Sequence, residues 1–458
     1  MPESILDLIG NTPLVEVKSF DTGPCELYLK LESQNPGGSI KDRIGLSMIE
    51  AAERSGQLRP GATIVEATAG NTGLGLALVA AQKGYPLILV VPDKMSREKI
   101  LHLVALGADV RITRSDVGKG HPQYYQDMAQ RIAGETPGAY YINQFGNPAN
   151  PHAHETTTGP EILRQMDGRV DAIVCGVGSS GTITGLSRFF ARASPATRFV
   201  LADPVGSVLA DYVTTGTLGQ AGSWTVEGIG EDFIPSIADL SRITDAYSIP
   251  DAESMGAARA LLRQEGILGG SSSGTLLAAA LRFCRGQSRP LRVVSFVCDS
   301  GAKYLSKAFN DAWMFERGFL PREHTGDLRD LIVRRHDAGL TVTVQPQDSL
   351  LTAYHRMRSA DVSQLPVVDE DDRILGIVDE FDLTRVVRRP DADGSDPFRR
   401  PVSTAMTTDL ETLPPQAGLD ELFAVLDAGH VAIIVDGTTF LGLVTRVDLL
   451  NALRTRML

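Results

Sequence analysis

The 458-residue chain lacks several features that mark particular classes of protein. No apolar run approaches the ~20 residues of a membrane-spanning helix, and the N-terminus has no basic region followed by an apolar stretch, so neither a membrane span nor a secretory signal is predicted. The four cysteines form no Cys-x-x-Cys pair, and the eight histidines show no metal-ligand spacing. We therefore expect a cytoplasmic protein with reduced thiols and no metal site.

Positive charge is also scarce. There are 44 lysine and arginine residues against 56 aspartate and glutamate residues, for a net charge of -12, which argues against non-specific binding to nucleic acid or anionic membranes. Apolar residues at 43% and charged residues at 22% are ordinary for a soluble globular protein. The length is too great for one ordinary core and predicts two or three domains.

Apolar strand-like runs alternate with helical patterns from residue 5 to residue 309. The predicted strands are 63–66, 87–91, 109–112, 172–174, 198–201 and 292–297. The predicted helices include 42–52, 72–83, 96–106, 158–166 and 254–264. This alternation predicts an α/β fold with a mainly parallel sheet. Ligands of such folds lie at the carboxyl ends of strands, in the loops that lead into helices.

The rest of the chain has a different character. Residues 316–336 are richly charged and contain glycine and proline, so we predict a linker there, between a first domain at 1–315 and a second at 337–458.

The second domain repeats itself. Leu375-Gly-Ile-Val-Asp-Glu-Phe-Asp-Leu383 and Leu441-Gly-Leu-Val-Thr-Arg-Val-Asp-Leu449 follow the same pattern. The repeat predicts two stacked modules, at about 337–390 and 400–458, each made of strand, turn, strand and helix with a helix before them.

The stretch Asn35-Pro-Gly-Gly-Ser-Ile-Lys41-Asp-Arg43 places a lysine between a tight turn and a predicted helix. The positive end of the helix dipole and burial would both disfavour the ammonium form of Lys41. A lysine in that setting serves as a nucleophile or a Schiff-base partner. The alternative is an exposed lysine that opens a surface helix.

A second stretch, Glu66-Ala-Thr68-Ala-Gly-Asn71-Thr72-Gly-Leu-Gly75, follows a predicted strand and opens a helix. The side chains of Thr68, Asn71 and Thr72, together with free backbone N–H groups, would bind a carboxylate. The alternative is an ordinary capped helix, since threonine and asparagine are good caps.

Two further glycine-rich stretches also lead into helices. In Gly176-Val-Gly178-Ser-Ser-Gly181-Thr182, small residues at a helix N-terminus offer several donors to a phosphate. The lysine of a Walker loop is absent, so a nucleoside triphosphate is not expected, and the alternative is a turn that requires glycine. Gly269-Gly-Ser-Ser-Ser-Gly274 is a weak signal by itself.

Together these stretches describe one site with a lysine, a carboxylate nest, a phosphate cup and a hydroxyl, the set of groups that suits pyridoxal 5'-phosphate. From residue 5 to about residue 314 the chain resembles the fold-type II pyridoxal-phosphate enzymes, and within them the cystathionine β-synthase family. The motifs that carry the resemblance are Asn11-Thr-Pro-Leu14, Gly38-Ser-Ile-Lys41-Asp-Arg43, Gly70-Asn-Thr-Gly73, Gly181-Thr-Ile-Thr-Gly185, Val226-Glu-Gly-Ile-Gly-Glu-Asp-Phe-Ile-Pro235 and Asp299-Ser300. The resemblance implies two open, mostly parallel α/β subdomains, followed by a tandem pair of the small CBS modules named after this family.

The resemblance also implies a role for each residue of the site. Lys41 would hold the cofactor through a Schiff base and move the Cα proton of the substrate, while Asn71 would contact the pyridine 3'-oxygen and Ser272 the pyridine nitrogen. The cofactor phosphate would be bound by Gly178, Ser179, Ser180, Gly181 and Thr182. The amino-acid substrate would be bound by Thr68, Ala69, Thr72, Gln144 and Gly228.

The chain departs from the family at three positions near the site. Ser180 stands where glycine is common, and Ala69 stands where a serine is expected, so one hydroxyl is missing. Glu231 stands where several relatives carry a tyrosine, which puts in doubt any tyrosine-dependent handling of the leaving hydroxyl or the second substrate. The animal enzymes have an N-terminal haem-binding extension, whereas this sequence starts at the catalytic domain, so we expect no haem.

The implied reaction joins L-serine and L-homocysteine to give L-cystathionine and water, with release of hydrogen sulfide from cysteine as a further activity. The nearest alternative is a cysteine synthase that uses O-acetylserine and sulfide, since its motifs overlap heavily with these. An alternative from a different class is a non-catalytic sensor of adenosyl nucleotides. We expect a homodimer or a larger homo-oligomer.

The tandem modules of related proteins commonly bind adenosyl ligands. In the second repeat Thr445 and Asp448 match the ribose-binding pattern of such modules, whereas Asp379 and Asp382 stand at the matching positions of the first repeat. Asp379 would repel a phosphate by Coulomb interaction, which favours S-adenosylmethionine over AMP or ATP. The alternative is a tail that binds no ligand and mediates subunit association.

Overall fold

The computed structural model describes residues 2–68, 70–321, 324–388 and 396–456. Ala69, a predicted substrate-binding residue, lies outside the described residues. The chain divides into two compact units, Met1–Asn310 and Asp311–Leu458. No described helix is long and apolar enough to cross a membrane.

The first unit alternates strands and helices along the chain. Its strands are β1 (Leu14–Glu16), β2 (Glu26–Leu31), β3 (Ile64–Ala67), β4 (Leu87–Pro92), β5 (Asp109–Thr113), β6 (Tyr140–Tyr141), β7 (Ala172–Gly176), β8 (Arg198–Pro204), β9 (Ile243–Ile249) and β10 (Arg292–Val297). Its helices are α1 (Lys41–Arg54), α2 (Asn71–Lys83), α3 (Arg97–Ala105), α4 (Tyr125–Glu135), α5 (Ala149–Ala153), α6 (Gly159–Gln165), α7 (Gly181–Ala193), α8 (Leu209–Thr215), α9 (Asp251–Glu265) and α10 (Ser271–Arg285). Each strand and helix predicted above for this part of the chain is present, with small shifts at the ends.

The strands form two open sheets. One has the order β1-β2-β10-β7-β8-β9 and is parallel except that β1 runs antiparallel to β2. The other has the order β5-β4-β3-β6 and is parallel throughout. This arrangement confirms the predicted α/β fold class with two mostly parallel subdomains. The carboxyl ends of β3 and β7 lead into α2 and α7, where a ligand site is expected in such sheets.

Three strands of the larger sheet, β1, β2 and β9, are not predicted from the sequence pattern. Strand β9 lies at the sheet edge and is mostly half-exposed, so it has no continuous apolar run. Strand β2 contains Lys30, whose buried Nζ donates to Glu161 Oε2 at 2.8 Å and to the Thr12 carbonyl at 2.6 Å. The charged Lys30 interrupts the apolar residues by which a buried strand is predicted. Its burial is tolerated only because Glu161, which is distant in the sequence, pairs with it.

Helices α1 and α2 pack together through two glycines. A Cβ on Gly75 would lie 2.6 Å from the carbonyl oxygen of Lys41, and a Cβ on Gly45 would lie 2.6 Å from the carbonyl carbon of Gly75. Any other residue at either position would force the helices apart. The close crossing brings the N-termini of the two helices, Lys41 and Asn71, to the same place.

The second unit contains the two repeats. Its strands are β11 (Gln364–Val368), β12 (Ile374–Asp379), β13 (Thr412–Leu413), β14 (Ala432–Asp436) and β15 (Thr439–Val444). Its helices are α11 (Asp311–Glu316), α12 (Leu350–Ala360), α13 (Glu380–Val387), α14 (Leu419–Asp427) and α15 (Arg446–Arg456). Each repeat has an antiparallel strand pair, β11-β12 or β14-β15, followed by a helix, as the sequence predicts.

Each repeat completes its core with the segment that precedes the other repeat. Leu328 and Ile332 are buried with Leu449 in the core of the second repeat. Val402 and Ala405 are buried in the core of the first repeat. The structure therefore places part of segment 316–336, which the sequence predicts as a linker, inside a folded core.

A glycine at the same position of each repeat makes room for the incoming segment. A Cβ on Gly442 would lie 2.5 Å from Ile332 Cγ2, and a Cβ on Gly376 would lie 2.8 Å from the Thr407 carbonyl oxygen. Gly442 also has a φ of 147°, which side chains rarely adopt. The repeated glycine seen in the sequence is thus explained by this exchange of segments.

We predict that Ile332→Ala strongly destabilises the second unit. Ile332 has no exposed surface, and truncation of such a side chain costs about 2–5 kcal/mol. Unfolding of the full chain in urea, followed by circular dichroism, measures the change. Leu351→Ala is the matched control, since Leu351 is 40% exposed. Equal effects of the two substitutions would show that the segment is a free linker.

Candidate active site

A cleft in the first unit brings the predicted stretches together. Its lining includes Lys41, Asn71, Gly178, Ser180, Gly181, Thr182, Gly228 and Ser272. Lys41 and Asn71 are the first residues of α1 and α2. Gly181 begins α7, and Ser272 is the second residue of α10. Four helix N-termini therefore meet at one cleft, and their dipoles favour an anionic ligand there.

Lys41 is half-buried in this cleft. Burial lowers the pKa of its amine, although the nearby Cys298, Glu231 and Asp299 oppose the shift. A lowered pKa increases the fraction of neutral amine, which is the form that attacks a carbonyl carbon. The environment that the sequence predicts for Lys41 is thus present in the structure.

The loop before α7 is shaped for close approach of a ligand. Ser180 has a φ of 66°, and a Cβ on Gly178 would lie 2.6 Å from the Gly228 carbonyl oxygen. A Cβ on Gly181 would overlap Asn150 Oδ1. The Ser180 hydroxyl is buried, and no described residue hydrogen-bonds it. An unpaired buried hydroxyl beside a helix N-terminus fits the phosphate of pyridoxal phosphate.

The other described residues of the predicted site are buried and hydrogen-bonded to protein groups rather than exposed in the cleft lining. Asn150 Nδ2 donates to Ser179 Oγ at 3.0 Å. The Thr68 hydroxyl accepts from two backbone N–H groups at the start of α2. Thr72 Oγ1 donates to Gln144 Oε1 at 2.7 Å. The structure thus clusters Thr68, Thr72 and Gln144 at the start of α2, and their role as substrate ligands stays a prediction.

Glu231 lies next to the cleft residue Gly178, and the sequence assigns it no role. Its Oε1 would lie 3.8 Å from a Cβ on Gly178. Burial, together with the charge of Asp232, raises the pKa of its carboxyl to about 8, while the charge of Lys41 opposes the rise. The carboxyl can therefore hold or release a proton near neutral pH. The only feature of the sequence that draws attention to Glu231 is that several relatives have a tyrosine at this position.

Three further side chains hold Asn71 in place. Asn71 Nδ2 donates to Asp299 Oδ2 at 2.7 Å, and Lys303 Nζ donates to Asn71 Oδ1 at 3.0 Å. The Tyr304 hydroxyl donates to the same oxygen of Asp299 at 2.7 Å. The motif Asp299-Ser300 points to this region, but nothing in the sequence signals Lys303 or Tyr304.

Comparison with known proteins agrees with this geometry. The model of the pyridoxal-phosphate dependent enzyme family matches residues 5–299, and that of the CBS domain matches residues 338–389 and 402–455. Cystathionine beta-synthase of Oryctolagus cuniculus is 36% identical, over 99% of this chain and 85% of its own length. The chain belongs to the cystathionine beta-synthase family. The resemblance, the fold and the class of a pyridoxal-phosphate-dependent lyase are thereby confirmed.

Two solved structures show the same fold for the first unit of this cystathionine beta-synthase family member. A hydrogen sulfide-producing enzyme from Fusobacterium nucleatum has a TM-score of 0.62 and 36% identity, covering 67% of this chain and 100% of that one. An O-acetylserine-dependent cystathionine beta-synthase from Helicobacter pylori has a TM-score of 0.62 and 35% identity, covering 67% of this chain and 98% of that one.

The tandem CBS modules of this family member enclose a second cavity. Its volume is about 520 Å³, and its lining includes Ser363, Thr445 and Asp448. This volume falls in the range of roughly 300–1,000 Å³ for small-molecule sites. The backbone N–H and the hydroxyl of Thr445 both donate to Asp448 Oδ2 at 2.7 Å. Asp448 N–H donates in turn to Thr445 Oγ1 at 3.3 Å. In the first repeat, Asp379 and Asp382 form the same kind of cap on α13, each accepting the backbone N–H of the other.

We predict that Glu231→Gln stabilises the protein more at high pH than at low pH. The pKa of Glu231 is raised from 4.5 to about 8 in the folded protein. The wild-type protein therefore loses stability as pH rises from the lower to the upper value, because the unfolded chain releases this proton earlier. Glutamine does not titrate, so the Glu231→Gln variant does not lose stability in this way as pH rises.

Thermal unfolding midpoints at about pH 5 and about pH 9 measure this difference. Glu135→Gln, at an exposed position, is the control and should behave as wild type at both pH values. An advantage of Glu231→Gln that stays constant with pH would show that the Glu231 carboxyl is already ionised in the folded protein.

Proposed function

We propose that this chain joins L-serine and L-homocysteine to give L-cystathionine and water, in the cytoplasm and as a homodimer or larger homo-oligomer. One observation carries the proposal. A single cleft is lined at once by Lys41, Asn71, the loop 178–182 and Ser272. This is the combination of amine, amide, anion cup and hydroxyl that a phosphorylated pyridine aldehyde requires.

The residues of the cleft would hold pyridoxal phosphate at its four polar points. Lys41 Nζ would bond to the aldehyde carbon, and the loop 178–182 would bind the phosphate. Asn71 would contact the ring oxygen, and Ser272 would contact the ring nitrogen. The bound cofactor would supply an electron sink for bonds at the substrate Cα. Ser272 offers a hydroxyl rather than a carboxylate, so it does not favour a proton on the ring nitrogen. This choice suits elimination and replacement at Cβ better than transamination or racemisation.

The chain's own groups would handle the substrate and its protons. Burial keeps the pKa of Lys41 low, so its Nζ can take up the Cα proton and return it. The Thr72 hydroxyl donates to Gln144 Oε1, and turning it away from Gln144 would present a donor to the substrate carboxylate. Because Gly228 has no side chain, it leaves the cleft open to the substrate beside Gly178.

Lys41→Ala should lower the rate of cystathionine formation by about a thousandfold or more, because both the attachment point and the proton carrier are lost. Loss of the yellow Schiff-base absorbance should accompany loss of activity. Lys119→Ala, at an exposed position, is the control and should keep both. Full turnover in the Lys41 variant would refute the assignment.

Cysteine synthesis from O-acetylserine and sulfide is the second candidate function, and the likeness to the O-acetylserine-dependent cystathionine beta-synthase from Helicobacter pylori favours O-acetylserine as the first substrate. Comparing kcat/KM for serine plus homocysteine with that for O-acetylserine plus sulfide separates the two. We expect the first pair to be preferred, and a strong preference for the second pair would replace cystathionine synthesis with cysteine synthesis.

We also propose that the tandem modules bind S-adenosylmethionine through Thr445 and Asp448. Asp448 uses Oδ2 for its local hydrogen bonds, which leaves Oδ1 to accept from ribose hydroxyls. In the first repeat, Asp379 and Asp382 stand at the positions that match Thr445 and Asp448 and bind one another's backbone, so a phosphate bound at that repeat would meet negative charge. A sulfonium ligand without phosphate suits these charges better than AMP or ATP.

Calorimetric titration tests this proposal. S-adenosylmethionine should bind the wild-type protein, and Asp448→Asn should weaken binding by roughly tenfold while keeping a cap acceptor for α15. The equivalent change in the first repeat, Asp382→Asn, is the control and should leave binding unchanged. Tight binding of AMP that survives Asp448→Asn would overturn the proposal. No heat from either ligand would support a tail that only associates subunits.

A further inference from the structure

Lys303 lies at the junction of two cofactor-site loops. It belongs to the short helical turn Gly301–Tyr304, and its side chain is buried. Its Nζ donates to the carbonyl oxygens of Gly37 and Gly38 and to Asn71 Oδ1, each at 3.0 Å. These three contacts use all three N–H groups of a charged ammonium.

The contacts of Asn71 leave its amide only one possible orientation. An ammonium can only donate, so the atom that Lys303 contacts must be the amide oxygen. The Asp299 carboxylate accepts, so the atom that contacts it must be the amide nitrogen. The second N–H of Asn71 Nδ2 is then left for the cleft, which Asn71 lines.

The same ammonium also holds the turn that precedes Lys41. Gly38 has a φ of 75°, a conformation in which glycine is favoured, and the carbonyl groups of Gly37 and Gly38 both accept from Lys303. Lys41 follows three residues after this turn and begins α1. The buried ammonium of Lys303 therefore connects the turn before Lys41 to the side chain of Asn71.

We propose that Lys303 is a positioning residue for pyridoxal phosphate: it aims the donor end of Asn71 at the ring oxygen and ties this amide to the turn before Lys41. The proposal rests on the proposed function, since it assumes that the cleft binds this cofactor. A positive charge one residue removed from the ring oxygen would also favour the ionised form of that oxygen.

The charge of Lys303 depends on pH in the range where the protein can be studied. Burial lowers its pKa to about 8; Lys99 adds to this effect, while Asp299 and Asp42 oppose it. His102 also faces this group. Below about pH 8 the ammonium makes its three contacts with full charge, and above that value it loses one proton and the charge. The support for Asn71 therefore weakens as pH rises through about 8.

The test uses full-length protein loaded with pyridoxal phosphate. Lys303→Met removes the charge and all three donors at similar length, while Lys303→Arg keeps a charge that does not titrate in this range. Lys307→Met is the matched control, because Lys307 lies on the same segment but contacts Glu227 and the Lys94 carbonyl instead. Absorbance and circular dichroism of the cofactor band, and the cofactor dissociation constant, are measured from about pH 6.5 to about pH 9.5.

We expect Lys303→Met to weaken cofactor binding roughly tenfold, as for loss of a charged hydrogen bond, and to move the band toward shorter wavelength as the neutral ring oxygen gains population. Wild type should show a band change centred near pH 8 that Lys303→Met and Lys303→Arg both lack. Lys303→Arg should retain most of the wild-type band, and Lys307→Met should match wild type throughout.

A wild-type band and dissociation constant in Lys303→Met would overturn the proposal. A less stable variant whose bound cofactor has the wild-type band would also overturn it, since that is a structural role only. A pH step near 8 that persists in Lys303→Met would assign the titration to another group, such as the Glu231 carboxyl, whose pKa burial raises to about 8, and would contradict the charge argument. If Lys303→Met does not fold, the wild-type protein still tests the proposal: absence of a band change near pH 8 would overturn it.

A wild-type protein that takes up no cofactor would instead refute the proposed function itself.

Discussion

The buried ion cluster around Arg43 is the constraint on which the site depends. Arg43 donates to both oxygens of Glu32 and of Glu161, and Lys30 donates to Glu161. Burial opposes charge on Glu161, yet hydrogen bonds and charge from Arg43 hold its pKa at about 2. Removing one member of such a cluster would leave an unpaired buried charge, which costs several kcal/mol. Because Arg43 lies two residues after Lys41, the cluster fixes the start of α1 and hence the position of the amine.

The site is built from helix N-termini rather than from a dedicated set of charged ligands. Helices α1, α2, α7 and α10 all begin at the cleft, and the glycine contact between α1 and α2 decides how closely the first two meet. Helix dipoles and free N–H groups favour a bound anion there and disfavour a protonated Lys41, and burial also disfavours the protonated lysine. Anion binding and a reactive amine thus have one physical origin, and Lys303 adds a buried cation beside Asn71.

In the second unit, the boundaries of the two modules cannot be read from the repeated sequence alone. The core of each module is incomplete without the segment that precedes the other module, and a glycine in each repeat provides the space for it. Charge and glycine content predict a linker over 316–336 because most of that segment is polar. Among its described residues, only Leu328, Leu331 and Ile332 are buried apolar side chains, and so short an apolar group gives no periodic signal.

The sequence by itself determined the α/β class, the repeated tail and the four loops that enter the cleft, because each is written in local patterns: alternating strand and helix periods, glycine turns, and helix starts. The tertiary structure alone decided which distant residues serve those loops. Lys303 reaches Asn71 across 232 residues, Arg43 reaches Glu161 across 118, and Glu231 comes to lie beside Gly178. No local pattern encodes such pairs, since a buried lysine, arginine or glutamate reads as a surface residue until folding supplies the partner that makes its burial tolerable.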